Sequence, residues 1–231
     1  MIFVPLNTQE VTVLCLYSGE NNQSLQFTQG FTMNDKTQRH NARMQRMKTV
    51  VDKKIAEATE ERGVVILLTG NGKGKSSSAF GMVARALGHG QKVGIIQFIK
   101  GRMKTGEQLF FNDHHHVDYH VMGDGFTWET QNRDKDVASA EKAWQVAAKM
   151  LQDETYDLLI FDEMTYLFKY DYLNINKVVH AIEQRPREQS VVITGRAAKA
   201  ELKAVADTVS VIADEKHAFR DGVKARLGIE F

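Results

Sequence analysis

Short apolar runs alternate along the chain with stretches whose apolar residues recur at helical spacing. The runs are rich in β-branched residues, which is typical of strands buried in a parallel sheet. They predict strands over residues 64–68, 93–98, 117–122, 157–163, 190–194 and 208–213. The amphipathic stretches predict helices over residues 77–87, 134–151 and 174–184. This alternation predicts an α/β fold with a mostly parallel six-stranded sheet between layers of helices.

A long helix is predicted before the first strand, over residues 35–62, where neither Gly nor Pro occurs. Met44, Met47, Val51 and Ile55 line one face, and Arg and Lys cover most of the rest. Two interpretations stay open. The segment is either a solvated helix packed on the domain or a mobile lid over an anionic ligand, since methionines suit an adaptable apolar contact.

Residues 1–32 differ in composition from the rest, being polar and rich in Asn and Gln, with one short β-prone run. Our hypothesis is that they are a disordered extension or the product of an upstream start codon. The predicted organisation is therefore this extension, an N-terminal lid helix over residues 33–62, and the α/β domain over residues 63–231.

Overall composition excludes several classes of function. The formal net charge is +1, so gross electrostatics do not indicate a nucleic-acid or membrane surface. No apolar run approaches the roughly 18 residues that span a bilayer. The single cysteine, Cys15, excludes an intrachain disulfide and fits a reducing, cytoplasmic location.

The segment T-G-N-G-K-G-K-S, residues 69–76, lies between the first predicted strand and the first helix of the α/β domain. Glycines let backbone N–H groups converge on an anion, and the helix N-terminus adds its positive dipole end. Lys75 is then placed to reach phosphates as a point charge, and the Ser76 hydroxyl to hold Mg²⁺. The predicted nucleotide-binding residues are Thr69, Gly70, Asn71, Gly72, Lys73, Gly74, Lys75, Ser76 and Ser77.

The general phosphate-loop pattern has glycine where this chain has Thr69. The alternative is a glycine-rich turn that binds no ligand. Three glycines and two lysines between a buried strand and a helix are hard to explain by packing, so the segment indicates nucleoside triphosphate binding.

Charged residues follow two later strands. Asp162 and Glu163 end the fourth predicted strand, and an acid at this place holds Mg²⁺ in phosphate-loop proteins, directly or through water. Arg196 follows the fifth strand, where a guanidinium can reach phosphate oxygens. The alternative for Arg196 is an ordinary surface arginine in a loop.

Two loops contain residues of interest. Phe126 and Trp128 are large rings in a polar, glycine-rich loop at 123–132, and they either pin the loop to the domain or face a ligand. The run His114–His116 and His120 suggest a metal site, but consecutive histidines cannot all point one way. A solvated loop is the favoured interpretation of these histidines.

Further motifs extend the phosphate-loop pattern through the chain. They are A-R-A-L-G-H-G at 84–90, Q-F-I-K-G at 97–101, G-F-T-W-E-T-Q-N at 125–132, L-I-F-D-E-M-T-Y at 159–166, V-I-T-G-R at 192–196 and K-H-A-F-x-x-G-V-K at 216–224. With them, residues 33–231 resemble the ATP:corrinoid (cob(I)alamin) adenosyltransferases of the phosphate-loop type. That family shares the threonine at the loop start, and Ser76 stands where it usually has threonine.

The resemblance implies a three-layer, RecA-like P-loop NTPase fold with an N-terminal lid helix. It also implies transfer of the 5′-deoxyadenosyl group of ATP to Co(I) of a reduced corrinoid, such as cob(I)alamin or cob(I)yrinic acid a,c-diamide, with release of triphosphate. Lys75, Glu163 and Arg196 would be the catalytic residues, and Ser76 and Glu163 would hold Mg²⁺.

The same resemblance implies a corrinoid site and partners. Phe126 and Trp128 would exclude the lower axial ligand of the corrinoid and so make Co(II) easier to reduce. Electrons would come from a flavodoxin-like protein or free reduced flavin, and the enzyme would be a homodimer. From the residues alone, the rivals are a RecA-like ATPase with Glu163 as hydrolytic base, a small-molecule kinase, and a non-catalytic nucleotide-binding regulator.

Overall fold

The computed structural model describes residues 33–99, 104–121 and 132–230, and the chain divides into two compact units after Thr59. In the first unit, helix α1 spans Met33–Glu57, and every side chain from Lys36 to Glu57 is exposed. Ion pairs four residues apart run along it, for example Lys48 with Asp52 at 2.6 Å. Such exposed pairs each contribute only a few tenths of a kcal/mol to helix stability.

The predicted long helix is therefore present but ends five residues before position 62. Arg62 belongs to the second unit, where its guanidinium donates two hydrogen bonds to the carboxylate of Asp207 at 2.6 and 3.0 Å. Asp207 in turn accepts a hydrogen bond from the backbone N–H of Val65 at 2.8 Å. This bidentate pair fixes the start of the first strand.

The second unit alternates strands and helices. The strands are β1 (Val65–Thr69), β2 (Val93–Gln97), β3 (Val117–Val121), β4 (Leu158–Asp162), β5 (Ser190–Thr194) and β6 (Thr208–Val211). The helices are α2 (Lys75–Gly88), α3 (Gly106–Phe111), α4 (Arg133–Leu151), α5 (Thr165–Lys169), α6 (Ile175–Glu183) and α7 (Ala200–Val205), followed by a 3₁₀ turn at Ala218–Asp221.

The described strands form one parallel six-stranded sheet in the order β3-β2-β4-β5-β1-β6. The sheet confirms the predicted α/β class, and β5 lies between β1 and β4. Since all strands run the same way, their carboxyl ends meet at one edge. The residues after β1, β4 and β5 are thereby brought together, although they are distant in sequence.

Two apolar clusters cover the two faces of the sheet. On one face α2 packs Phe80 and Val83 against the strands. On the other face α4, α6 and α7 pack around Trp144 and Phe161, both at most 1% exposed. Strands β2 and β4 are buried along their whole length, which explains their nearly continuous apolar sequences.

Three short helices, α3, α5 and α7, were not predicted, because five or six residues are too few for a helical period to be read from the sequence. The predicted fourth strand also differs at its end. It stops at Asp162, and Glu163 adopts a left-handed backbone conformation with φ of 58°. That change of direction separates the two acidic side chains.

Candidate functional site

The glycine-rich loop joins β1 to α2 and packs against the backbone that follows β6. A Cβ atom on Gly70 would lie 2.4 Å from the Ile212 carbonyl oxygen, and one on Gly72 would lie 2.1 Å from that of Ala213. Gly74 has open space around it but needs its φ of 118°. Gly70 is thus required for both close packing and conformation, Gly72 for close packing, and Gly74 for conformation alone.

The N-terminus of α2 faces the same space. No side chain caps it, so its first backbone N–H groups are left for an anion. Lys75, the first residue of α2, is 6% exposed, and its Nζ donates a hydrogen bond to the Gly72 carbonyl at 2.7 Å. Burial lowers the pKa of Lys75, and the nearby Glu163 carboxylate opposes that change.

Asp162, at the end of β4, is the deeper of the two acids. Its carboxylate accepts hydrogen bonds from the Thr194 hydroxyl at 2.7 Å and the Gln97 side-chain amide at 3.2 Å. The Ser76 hydroxyl also interacts with it. Burial raises the pKa of Asp162, against the opposing effect of these three donors. The acid of β4 and the hydroxyl of the glycine-rich loop are thus in direct contact.

Glu163 lies near the two positively charged side chains of the site, Lys75 and Arg196. Its backbone N–H donates to the Thr194 hydroxyl at 2.9 Å, while its Oε2 is buried and finds no hydrogen-bond partner among the described residues. Burial, followed by the charge of Asp162, raises the pKa of Glu163 to about 7, and Lys75 and Arg196 oppose the rise. An unpartnered buried carboxylate oxygen is costly, and such groups concentrate at functional sites.

Arg196 lies across from Lys75 and Glu163, two residues beyond β5. Its side chain is exposed, and no described residue accepts a hydrogen bond from the guanidinium. Its positive charge acts on both Lys75 and Glu163. The predicted residues Lys75, Ser76, Glu163 and Arg196 therefore meet at one edge of the sheet.

This site has the donor set that Mg²⁺ prefers, which is oxygen from a hydroxyl and carboxylates. Ser76, Asp162 and the free oxygen of Glu163 supply it. In the part of the chain that the structure describes, no group of three or more His, Cys, Asp or Glu side chains forms a metal cage. Few protein ligands are usual for Mg²⁺ bound with a nucleotide, because phosphates and water complete its shell.

The sequence analysis placed Asp162 beside Glu163 at a strand end but assigned the metal to Glu163 and Ser76. It did not name Gln97, Thr194 or Thr165 as site residues. These three are recognised only from the order of the strands, because Gln97 ends β2 and Thr194 ends β5.

Other predicted residues lie elsewhere. Phe126 and Trp128 fall in residues 122–131, outside the described residues. The histidine run lies just before β3, at the amino end of the sheet. The rings of His114 and His115 stack at a centroid distance of 4.8 Å, and the ring of His116 meets both edge-on at 6.2 and 4.3 Å. It is therefore not part of the strand-end site. None of the described helices is both long and apolar enough to cross a membrane.

Two protein-family models match almost all of the described residues. Residues 61–231 match the family model of the ATP:corrinoid adenosyltransferases BtuR/CobO/CobP, and residues 28–55 match that of the cob(I)alamin adenosyltransferase N-terminal segment.

Three relatives are similar over nearly their full length. A corrinoid adenosyltransferase of Pseudomonas aeruginosa is 55% identical over 198 residues, which are 85% of this chain and 98% of that protein. A corrinoid adenosyltransferase of Escherichia coli K12 is 48% identical, and the corrinoid adenosyltransferase CobA of Salmonella typhimurium is 47% identical. For each of these two relatives the matched region is 84% of this chain and 98% of the relative's own length.

Proposed function

The chain belongs to the ATP:corrinoid adenosyltransferase family BtuR/CobO/CobP, and we propose that its loop 70–76 holds the triphosphate of ATP during transfer of the adenosyl group. Its activity is that of a corrinoid adenosyltransferase in cobalamin synthesis. The observation that carries the assignment of the site is the uncapped N-terminus of α2, beside a buried Lys75 and the two acids at the end of β4.

The reaction forms a bond between cobalt and C5′ of ATP and breaks the bond between C5′ and the triphosphate oxygen. Co(I) supplies the electron pair of the new bond, and the pair of the broken bond leaves with triphosphate. Because Co(I) is itself a strong nucleophile, the site needs no general base. Its task is to stabilise negative charge that grows on the leaving group, and preorganised N–H groups and Lys75 are suited to it. Arg196 reaches the same oxygens from across the site.

Mg²⁺, when bound by Ser76 and Glu163 with Asp162 beside them, would neutralise further charge on the triphosphate. The fit of the oxygen donors supports this assignment. Asp162 keeps the Ser76 hydroxyl in place, and Glu163 offers an oxygen that no described residue uses.

The corrinoid site and the partners are proposed from the sequence resemblance. Phe126 and Trp128 would cover the lower face of the corrinoid, and α1 would act as the lid. A flavodoxin-like protein or free reduced flavin would supply electrons, and two copies of the chain would form the active dimer. We place the enzyme in the cytoplasm, because a single cysteine cannot form an intrachain disulfide and fits a reducing compartment.

An anaerobic assay with ATP, Mg²⁺ and chemically reduced corrinoid, followed by the visible spectrum and by product analysis, tests the site. The wild-type chain should give a cobalt–carbon bond and triphosphate. Lys75→Ala should lower kcat on the order of 100-fold or more, because one donor to the developing charge is lost. Lys177→Ala, on an exposed lysine paired with Glu141, is the matched control and should behave as wild type.

Near-normal turnover of Lys75→Ala would contradict the proposed role of that lysine. Release of ADP or orthophosphate in place of triphosphate would instead indicate a kinase or an ATPase.

A further inference from the structure

Thr165 connects the two turns that carry the charged residues of the site. It opens α5, two residues after Glu163, and its side chain is 1% exposed. The hydroxyl donates a hydrogen bond to the backbone carbonyl of Arg196 at 2.7 Å. The acid-bearing turn after β4 is thereby tied to the arginine-bearing turn after β5.

The turn around Arg196 has a backbone that needs such support. Gly195 has φ of 139° and Ala197 has φ of 54°, and a left-handed backbone is unfavourable for alanine. Gly195 also lets the two turns approach closely, because a Cβ there would lie 2.1 Å from the Thr165 hydroxyl oxygen. Two longer hydrogen bonds also hold this turn. The Gly195 N–H donates to the Leu68 carbonyl at 3.2 Å, and the Ala198 N–H donates to the Thr69 hydroxyl at 3.4 Å.

The Arg196 guanidinium is exposed and donates no hydrogen bond to a described residue, so only the charge of Glu163 attracts it directly. The direction of this side chain therefore depends on the conformation of its backbone. Among the hydrogen bonds from described residues that set that conformation, the one from Thr165 is the shortest.

We propose that Thr165 is a positioning residue of the transferase, whose hydroxyl holds the Arg196 backbone so that the guanidinium meets the triphosphate opposite Lys75. The inference rests on the proposed function, because it requires Arg196 to contact the phosphates. Because Thr165 is almost fully buried, we expect its side chain to contact neither substrate nor metal. Its effect should pass entirely through Arg196.

The test compares Thr165→Val, Thr165→Ser, Arg196→Ala and the double variant Thr165→Val/Arg196→Ala in the full-length chain. Calorimetric titration with inorganic tripolyphosphate measures the dissociation constant, and steady-state kinetics with reduced corrinoid give kcat and KM for ATP. Thr165→Val keeps the shape but removes the hydrogen bond to the Arg196 carbonyl, so the affinity for tripolyphosphate should fall about tenfold. Thr165→Ser should restore it, and the double variant should be no weaker than Arg196→Ala.

Ser190→Ala is the matched control at the other end of β5, where the Ser190 hydroxyl accepts a hydrogen bond from the Val64 N–H at 3.2 Å. It should lower the unfolding temperature and leave tripolyphosphate affinity unchanged. If Thr165→Val is too unstable to purify, Thr165→Cys replaces it, since a thiol is close in size to serine but a much weaker donor.

The outcomes distinguish a failure of the proposed role of Arg196 from a failure of the positioning role of Thr165. Arg196→Ala that binds tripolyphosphate as wild type overturns the role of Arg196 and the positioning role with it. A weakened Arg196→Ala beside a normal Thr165→Val overturns only the role of Thr165. An equal further loss when Thr165→Val is added to Arg196→Ala also overturns it, because the threonine would then act independently.

Discussion

Replacing Glu163 by glutamine should stabilise the protein at neutral and alkaline pH while abolishing activity. The carboxylate is buried, lies beside a second acid and leaves Oε2 without a partner among the described residues. These features suit a residue kept for ligand binding and not for folding. Glutamine has nearly the same shape and carries no charge to desolvate.

The magnitude follows from the proton affinity of the folded state. The pKa of Glu163 is raised from 4.5 to about 7, and a tenfold change in proton affinity corresponds to about 1.4 kcal/mol. The ionised carboxylate therefore costs the folded state about 3 kcal/mol above pH 7. Because the folded pKa is the higher one, the stability contributed by the protonated form is fully present below pH 4.5. It is lost as the pH rises through about 7.

Thermal unfolding of wild type and Glu163→Gln at pH 5 and pH 8 measures this effect. At pH 8 the variant should melt about 6–12 °C higher, since 1 kcal/mol shifts the Tm of a chain of this size by about 2–4 °C. At pH 5 most of the difference should vanish. Glu183→Gln, on an exposed acid at the end of α6, is the control and should show no such pH dependence. The same Tm difference at both pH values would refute the reasoning.

Three further predictions concern the metal, the corrinoid and the N-terminal segments. The affinity for Mg²⁺ in the presence of ATP should fall as the pH drops below about 7, because Glu163 must lose its proton to bind a cation. An affinity for Mg²⁺ that stays constant between pH 6 and 8 would contradict this. Trp128→Ala should spare transfer to chemically prepared Co(I) more than transfer that starts from Co(II), and equal loss in both assays would assign the ring another role. Deletion of residues 1–32 should leave the kinetics intact, whereas deletion of residues 1–59 should weaken corrinoid binding measured by spectral titration. The second deletion stops before Arg62, because that residue pairs with Asp207, which directly precedes β6. A damaging effect of the shorter deletion would overturn our view of residues 1–32.

The strands, the glycine-rich loop and its lysine could all be predicted from local sequence. A buried parallel strand is a short apolar run, and a phosphate loop needs glycines next to a helix N-terminus; both signals lie within a few neighbouring residues. For the same reason the segment around Glu163 was placed correctly at a strand end. The left-handed turn at Glu163 was not predicted, because nothing local distinguishes it from a continuing strand.

What only the tertiary structure decided is which distant residues become neighbours. The order of strands in the sheet brings β5 between β1 and β4, and with it the hydroxyl of Thr194 onto Asp162 and the backbone of Arg196 onto Thr165. The close packing of Gly70 and Gly72 against the residues after β6 is likewise visible only in the tertiary structure. Sequence periodicity records which face of an element is apolar, but strand order is set by the packing of all the elements together, so these contacts exist only once the sheet has assembled.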